Sequence, residues 1–355
     1  MIDSIFLDNY KHFQAFKVDK LKRVNLISGE NNTGKTSLLE AIFFFYDRAS
    51  PETFLKQLSL RGVNSVQFNS GTHIWQNMFY NFDLERKITI SIEDSGHTEK
   101  AVYSHEKNAR NLIMASQQGH QPVTAQSSLD LNLASLRSQF SSGRKNFGES
   151  YLYVQNDQIN LTFKSMQPAR KEVVFVNSST KGNMTTDAER LGTIEIEGDT
   201  NEITNALKLI EPRLRGLSIV PQGQVPFIYG DIGLSRKIPI HQMGEGIGKL
   251  LSILVTIATT KDGIVCVDEI ENGIHYALFP KVWEIIDTMA QRNNCQLFVT
   301  THNHDVLKGL ATYNNESQSD RFSYIRLDWV KGSVTPKFYS GDMLFAAIER
   351  DWEVR

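Results

Sequence analysis

The run Gly29-Glu30-Asn31-Asn32-Thr33-Gly34-Lys35-Thr36-Ser37 has the residue types and the spacing to hold a chain of phosphates. It completes the pattern G-x-x-x-x-G-K-[ST], in which successive backbone N–H groups curl around phosphate oxygens. In that chemistry Lys35 reaches the β- and γ-phosphates of a nucleotide, and the Thr36 hydroxyl sits on Mg²⁺. Asn31, Asn32, Thr33, Gly34 and Ser37 complete the candidate nucleotide-binding set, which implies ATP and Mg²⁺ as ligands. Letters alone can match by chance, so the setting matters. Val24 to Ser28 reads as a short buried strand before the loop, and Ser37 to Phe45 as a helix with a large apolar face after it. A helix start adds its own orphan donors and dipole to the same anion site.

Other stretches end in residues suited to the same chemistry. Gly263-Ile264-Val265-Cys266-Val267-Asp268-Glu269 is an unbroken apolar strand closed by two carboxylates. An all-apolar strand belongs in a parallel sheet covered on both faces, and ligands bind at the carboxyl ends of such strands. Asp268 is then placed to hold Mg²⁺ and Glu269 to polarise an attacking water. The same acid pair would also suit a capping turn before a helix near Tyr276. Gln296 to Asn303 repeats the pattern and puts His302 just past an apolar run. A histidine there can bond a γ-phosphate or the attacking water; a satisfied loop histidine is the plainer alternative. Met243-Gly244-Glu245-Gly246 feeds a helical stretch, Leu250 to Ala258, and offers a second anion-binding helix start, or merely a turn shaped by its glycines. Two such starts in one chain suggest that two copies share nucleotides.

These residues must be positioned by the rest of the chain. Ile2 to Phe16 reads as a strand pair broken at Asn9 to His12. Alternating runs at Lys87–Ile92, Leu129–Leu133 and Ile159–Phe163 read as half-buried antiparallel strands, with polar mobile loops at His105–Ser128 and Arg137–Ser150. His97, His105 and His120 have no paired metal-ligand spacing. The α/β periodicity returns at Glu172–Val176, with a helix over 202–214 closed by Pro212 and a strand at Gly216–Val220. The expected division is residues 1–83 as the first part of an α/β core, 84–171 as a β-rich insertion, and 172–355 as the second part of the core.

Composition bounds the function. With 40% hydrophobic and 22% charged residues among 355, the chain can bury a sizeable core. Its 38 basic and 40 acidic residues nearly cancel, which neither demands nor excludes DNA or RNA; Lys20-Leu21-Lys22-Arg23 reads as a solvated turn. Two cysteines in apolar settings make no disulfide or metal framework, which fits a reducing cytoplasm. The N-terminus is not built like a signal peptide, and no apolar stretch approaches the roughly 20 residues needed to span a bilayer.

Taken together, these stretches resemble the ABC-type ATPase head of the SMC, RecF and OLD-nuclease group, and specifically AAA-family ATPases of bacterial anti-phage defence systems. Ile5 to Phe13 is similar to that group's first strand and N-[FY]-[KR]-x-[FY] turn, which makes Lys11 a candidate nucleotide contact. Asp268 to Tyr276 resembles the Walker B segment and D-loop, and Ala346 to Arg355 resembles the subgroup's own end, so a complete chain is expected. The fold implied is a P-loop NTPase of ABC/SMC-head type, α/β, with a parallel-sheet core flanked by helices and a β-rich insertion between the Walker motifs. The long separation of Lys35 from Asp268 suits that head better than a P-loop kinase. Met243-Gly244-Glu245-Gly246 stands where relatives carry Leu-Ser-Gly-Gly-Gln, which lacks the usual hydroxyl; Gln57, Gln67 and Gln76 are alternative Q-loop glutamines.

The resemblance implies a cytoplasmic ATPase with Glu269 and His302 catalytic, whose two copies, or a higher oligomer, clamp ATP between one phosphate loop and the partner's Met243–Gly246 loop. It implies control of a separately encoded effector, no C-terminal Toprim nuclease domain and no membrane. The other readings are a RecF-like DNA-repair ATPase and a nucleotide-gated scaffold with little turnover.

Overall fold

The computed structural model describes residues 1–48, 73–109, 133–155, 158–178, 184–198, 200–317 and 320–350. The first strands β1 (Ile2–Asp8), β2 (Phe16–Val18) and β3 (Val24–Gly29) lead into α1 (Lys35–Tyr46) and α2 (His73–Gln76). A run of strands follows: β4 (Ile88–Asp94), β5 (His97–Glu106), β6 (Ser135–Ser142), β7 (Lys145–Gln155) and β8 (Gln158–Lys164). Then come β9 (Val173–Val176), α3 (Met184–Glu197), α4 (Thr200–Leu207), β10 (Gly216–Gln222), β11 (Val225–Asp231) and β12 (Ile238–Pro239). The chain closes with α5 (Glu245–Thr259), β13 (Ile264–Val267), α6 (Phe279–Arg292), β14 (Gln296–Thr300), α7 (His304–Ser317), β15 (Phe322–Val330), β16 (Ser333–Tyr339) and α8 (Gly341–Glu349).

Two compact units result. One comprises Met1–Lys20, Glu40–Arg170 and Trp329–Pro336; the other comprises Leu21–Leu39, Lys171–Asp328 and Lys337–Arg355. In the first, a seven-stranded sheet runs β2-β1-β4-β5-β6-β7-β8. Alternation builds it: Ile88, Ile90 and Ile92 of β4 are buried, with Leu7 opposite Ile90 and Ile5 opposite Ile92 on β1. The broken strand pair expected over 2–16 is therefore present as β1 and β2, and β1 pairs on its other side with β4.

The segment Arg137–Ser150, read as a polar loop, is instead the β6–β7 hairpin turning at Gly143. Leu136, Ser138 and Phe140 face inward at period two, whereas Arg137 faces outward and pairs with Glu149 at 2.7 Å. A polar outer face hid the strand. His105 likewise belongs to β5 and accepts a bond from the Trp75 indole at 3.3 Å. The strand expected at Leu129–Leu133, and His120, lie outside the described residues except for Leu133, which is buried.

In the second unit a six-stranded sheet has the order β16-β15-β3-β14-β13-β9. Strands β15, β3, β14, β13 and β9 are parallel to one another. Every residue of β3, β13 and β14 is buried, as expected for central strands covered by helices. Leu250, Ile253 and Leu254 of α5, with Trp283 and Ile286 of α6, share one core with these strands. The helix expected over 202–214 ends earlier, at Leu207, because Leu209 and Ile210 donate to carbonyls three residues back and tighten the last turn. Cys266 and Cys295 are buried free thiols. Among the described residues no helix is long and apolar enough to cross a membrane.

Candidate nucleotide site

Parallel pairing aligns the carboxyl ends of β3, β14 and β13, so the segments that follow them emerge side by side at one edge of the sheet. The first is the Gly29–Ser37 loop. Gly29 has φ +146°, and a Cβ there would lie 2.4 Å from the Leu327 carbonyl oxygen, so only glycine fits. Asn32 takes a left-handed φ of 64°, which asparagine tolerates, and Thr33 closes the turn by donating from Oγ1 to Glu30 O at 2.9 Å. Asn31 and Asn32 are exposed, Ser37 is buried, and Leu38 N donates to Gly34 O as α1 begins. Lys35 Nζ donates to the loop's own carbonyls, Gly29 O at 2.7 Å and Glu30 O at 2.8 Å. Burial lowers the Lys35 ammonium pKa, while Glu271, Asp268 and Glu269 pull it back up.

The second segment follows β13. Asp268 accepts from Thr36 Oγ1 at 3.0 Å and from Thr300 Oγ1 at 2.6 Å. Burial pushes its carboxyl above the usual range, and those two hydroxyls pull it back. Glu269 sits at φ 48°, a strained conformation for a side-chain-bearing residue, held by a bond from its N–H to Thr300 Oγ1 at 2.9 Å. Asn272 Nδ2 donates both to Glu269 Oε2 at 3.2 Å and to Ser178 O at 3.0 Å, tethering the carboxylate. The third segment brings His302, whose Nδ1 lies 3.9 Å from Glu269 Oε1 and 3.0 Å from Glu271 Oε1.

The structure thus brings Lys35, Thr36, Asp268, Glu269 and His302 together. It does not add Met243–Gly246 to that cluster. This loop starts α5, with Gly244 and Glu245 exposed, and it packs on the segment after β13: a Cβ on Gly246 would lie 2.0 Å from Gly273 O. Fully buried Lys249, one turn on, donates to Asp268 O at 2.7 Å and also to Asn177 O. Burial lowers its pKa to about 8. Lys11 belongs to the other unit, where its ammonium pairs with buried Glu40. Of the Q-loop alternatives, Gln76 ends α2, and Gln57 and Gln67 lie outside the described residues.

Thr300, Glu271, Asn272 and Lys249 escaped the sequence reading. Glu271 and Asn272 could have been found as polar residues just past Ile270, which follows the two carboxylates, and Thr300 as the polar end of an apolar strand. Lys249 gives no such signal, because a lysine in a helix usually faces solvent.

Residues 24–307 match the protein family described as "AAA domain, putative AbiEii toxin, Type IV TA system". A Helicobacter pylori protein described as "ATP/GTP phosphatase" is 23% identical over 377 aligned positions, covering 97% of each chain. A RecF DNA replication and repair protein of Shewanella oneidensis is 31% identical over 124 residues, 34% of this chain and 32% of that protein. Among solved structures, an SMC head bound to the C-winged helix domain of ScpA superposes with a TM-score of 0.50 at 14% identity, covering 98% of this chain and 99% of that one. That likeness establishes the fold as the P-loop ABC/SMC-head type expected from the motifs.

Proposed function

This chain belongs to that AAA-domain family, and from that premise we propose that it binds ATP at the Gly29–Ser37 loop and hydrolyses it. The observation that carries the reading is the 3.0 Å contact of Thr36 with Asp268, residues 232 apart in the chain. Hydroxyl and carboxylate oxygens are the hard donors that Mg²⁺ takes alongside phosphate oxygens and water. Thr36 and Asp268 would hold Mg²⁺, which neutralises charge on the β- and γ-phosphates when bound.

The chain's own groups do the rest. Entering phosphates replace the Gly29 and Glu30 carbonyls as partners of Lys35. Glu269, tethered by Asn272, orients the attacking water and takes its proton, with His302 beside it. In a pair of copies, the exposed Gly244–Glu245 helix start meets the partner's γ-phosphate, and hydrolysis releases that contact. The closing pair then acts on a separately encoded effector through the antiparallel sheet, in the cytoplasm and in the setting of phage defence.

The test is steady-state MgATP turnover with a size measurement. Glu269→Gln is expected to keep ATP binding, lose turnover by ~10²-fold or more, and accumulate a dimer or larger assembly. A fully active variant would remove Glu269 from the mechanism. The partial RecF match supports a second reading as a DNA-maintenance ATPase. That reading expects ATP-dependent DNA affinity that falls steeply with salt.

A further inference from the structure

Glu271 lies outside the expected catalytic set, yet its surroundings are those of a working group. Its side chain is only 6% exposed. One oxygen, Oε1, accepts the backbone N–H of His302 at 2.8 Å and lies 3.0 Å from the ring Nδ1 of the same residue. The other, Oε2, is buried without a hydrogen-bond partner among the described residues. Burying a carboxylate with half its acceptors unmet is costly and calls for a compensating role.

We propose that Glu271 is a positioning residue of the hydrolytic centre, which fixes the His302 ring by accepting its Nδ1–H and leaves Nε2 as the nitrogen that meets the nucleotide. The inference rests on the reading that this site hydrolyses ATP. The bond from the His302 backbone to the same oxygen sets where the ring begins, and the Nδ1 contact sets how it turns. A neutral ring donating from Nδ1 offers Nε2 as an acceptor for the attacking water. Without Glu271 the half-exposed imidazole can rotate or donate from the wrong nitrogen. The arrangement is the carboxylate–imidazole pairing that orients histidines in metal and nucleophile sites, applied to a γ-phosphate.

The experiment measures MgATP turnover, ATP binding and thermal unfolding for the full chain, for Glu271→Gln, for His302→Ala and for the double variant. Expected for Glu271→Gln is a kcat lower by ~10-fold or more with undiminished ATP affinity and a near-unchanged Tm. The double variant should turn over no more slowly than His302→Ala, because Glu271 acts through that ring. Wild-type turnover by Glu271→Gln, or a double variant that multiplies the two single losses, would overturn the proposal. If Glu271→Gln fails to fold, Glu271→Asp replaces it with the same expected non-additivity, and collapse of both would make Glu271 structural and equally end the proposal. Unimpaired turnover by both Glu269→Gln and His302→Ala would instead reject the ATPase reading beneath it.

Discussion

At the residue scale, the site is a set of short polar bonds that fix carboxylates before any ligand arrives. Thr300 serves two of them, donating to Asp268 and accepting from the Glu269 backbone, so one strand-terminal hydroxyl sets both acids. Asn272 holds the Glu269 carboxylate from the other side. Asn272→Ala is expected to lower kcat by about tenfold, the worth of one hydrogen bond to a charged group, with ATP affinity unchanged. Stopped assays at saturating MgATP read this directly, and a wild-type rate would mean that Glu269 is oriented by other contacts. The acids themselves were legible in the sequence because they end an apolar run. Their tethers were not. They depend on the register that sets Val267 beside Val299, and no sequence spacing reveals which strands are neighbours.

At the element scale, α5 links two functions: its first turn carries the exposed Gly244–Glu245 step, and its buried face carries Lys249 to the Asp268 carbonyl. Its opposite anchor is α3, where Asp187 accepts from Ser252 at 3.1 Å. Burial raises the Asp187 carboxyl to about 6 from its ordinary 3.8. The folded state therefore holds that proton more tightly than the unfolded chain does. The resulting stability is fully present below the ordinary value and is lost as pH rises through about 6. Between pH 4 and pH 8 the wild type should lose about 2 kcal/mol relative to Asp187→Asn, measured by urea unfolding. Parallel pH curves for the two proteins would contradict the assignment. Elements with apolar runs, β3, β13 and β14, were readable from those runs alone. The β6–β7 hairpin was not, since Arg137, Gln139 and Glu149 make its outer face as polar as a loop.

At the scale of the whole molecule, the exposed start of α5 is where two copies would share nucleotide. Glu245 sets a carboxylate in the first turn of α5, where it suits the helix dipole but repels an approaching phosphate. Glu245→Gln is therefore expected to tighten ATP-dependent association several-fold, read by sedimentation at fixed ionic strength. A variant that associates no better than wild type would remove Glu245 from the interface. Such sharing requires that one loop, one strand end and one histidine form a single site for a magnesium-bound triphosphate. Calorimetric titration of MgATP into wild type and Lys35→Ala tests it most directly. The expected result is one nucleotide bound per wild-type chain and a loss of ~10²-fold or more in affinity for the variant, as removal of a half-buried phosphate-binding cation demands; equal affinity in the two proteins would contradict it.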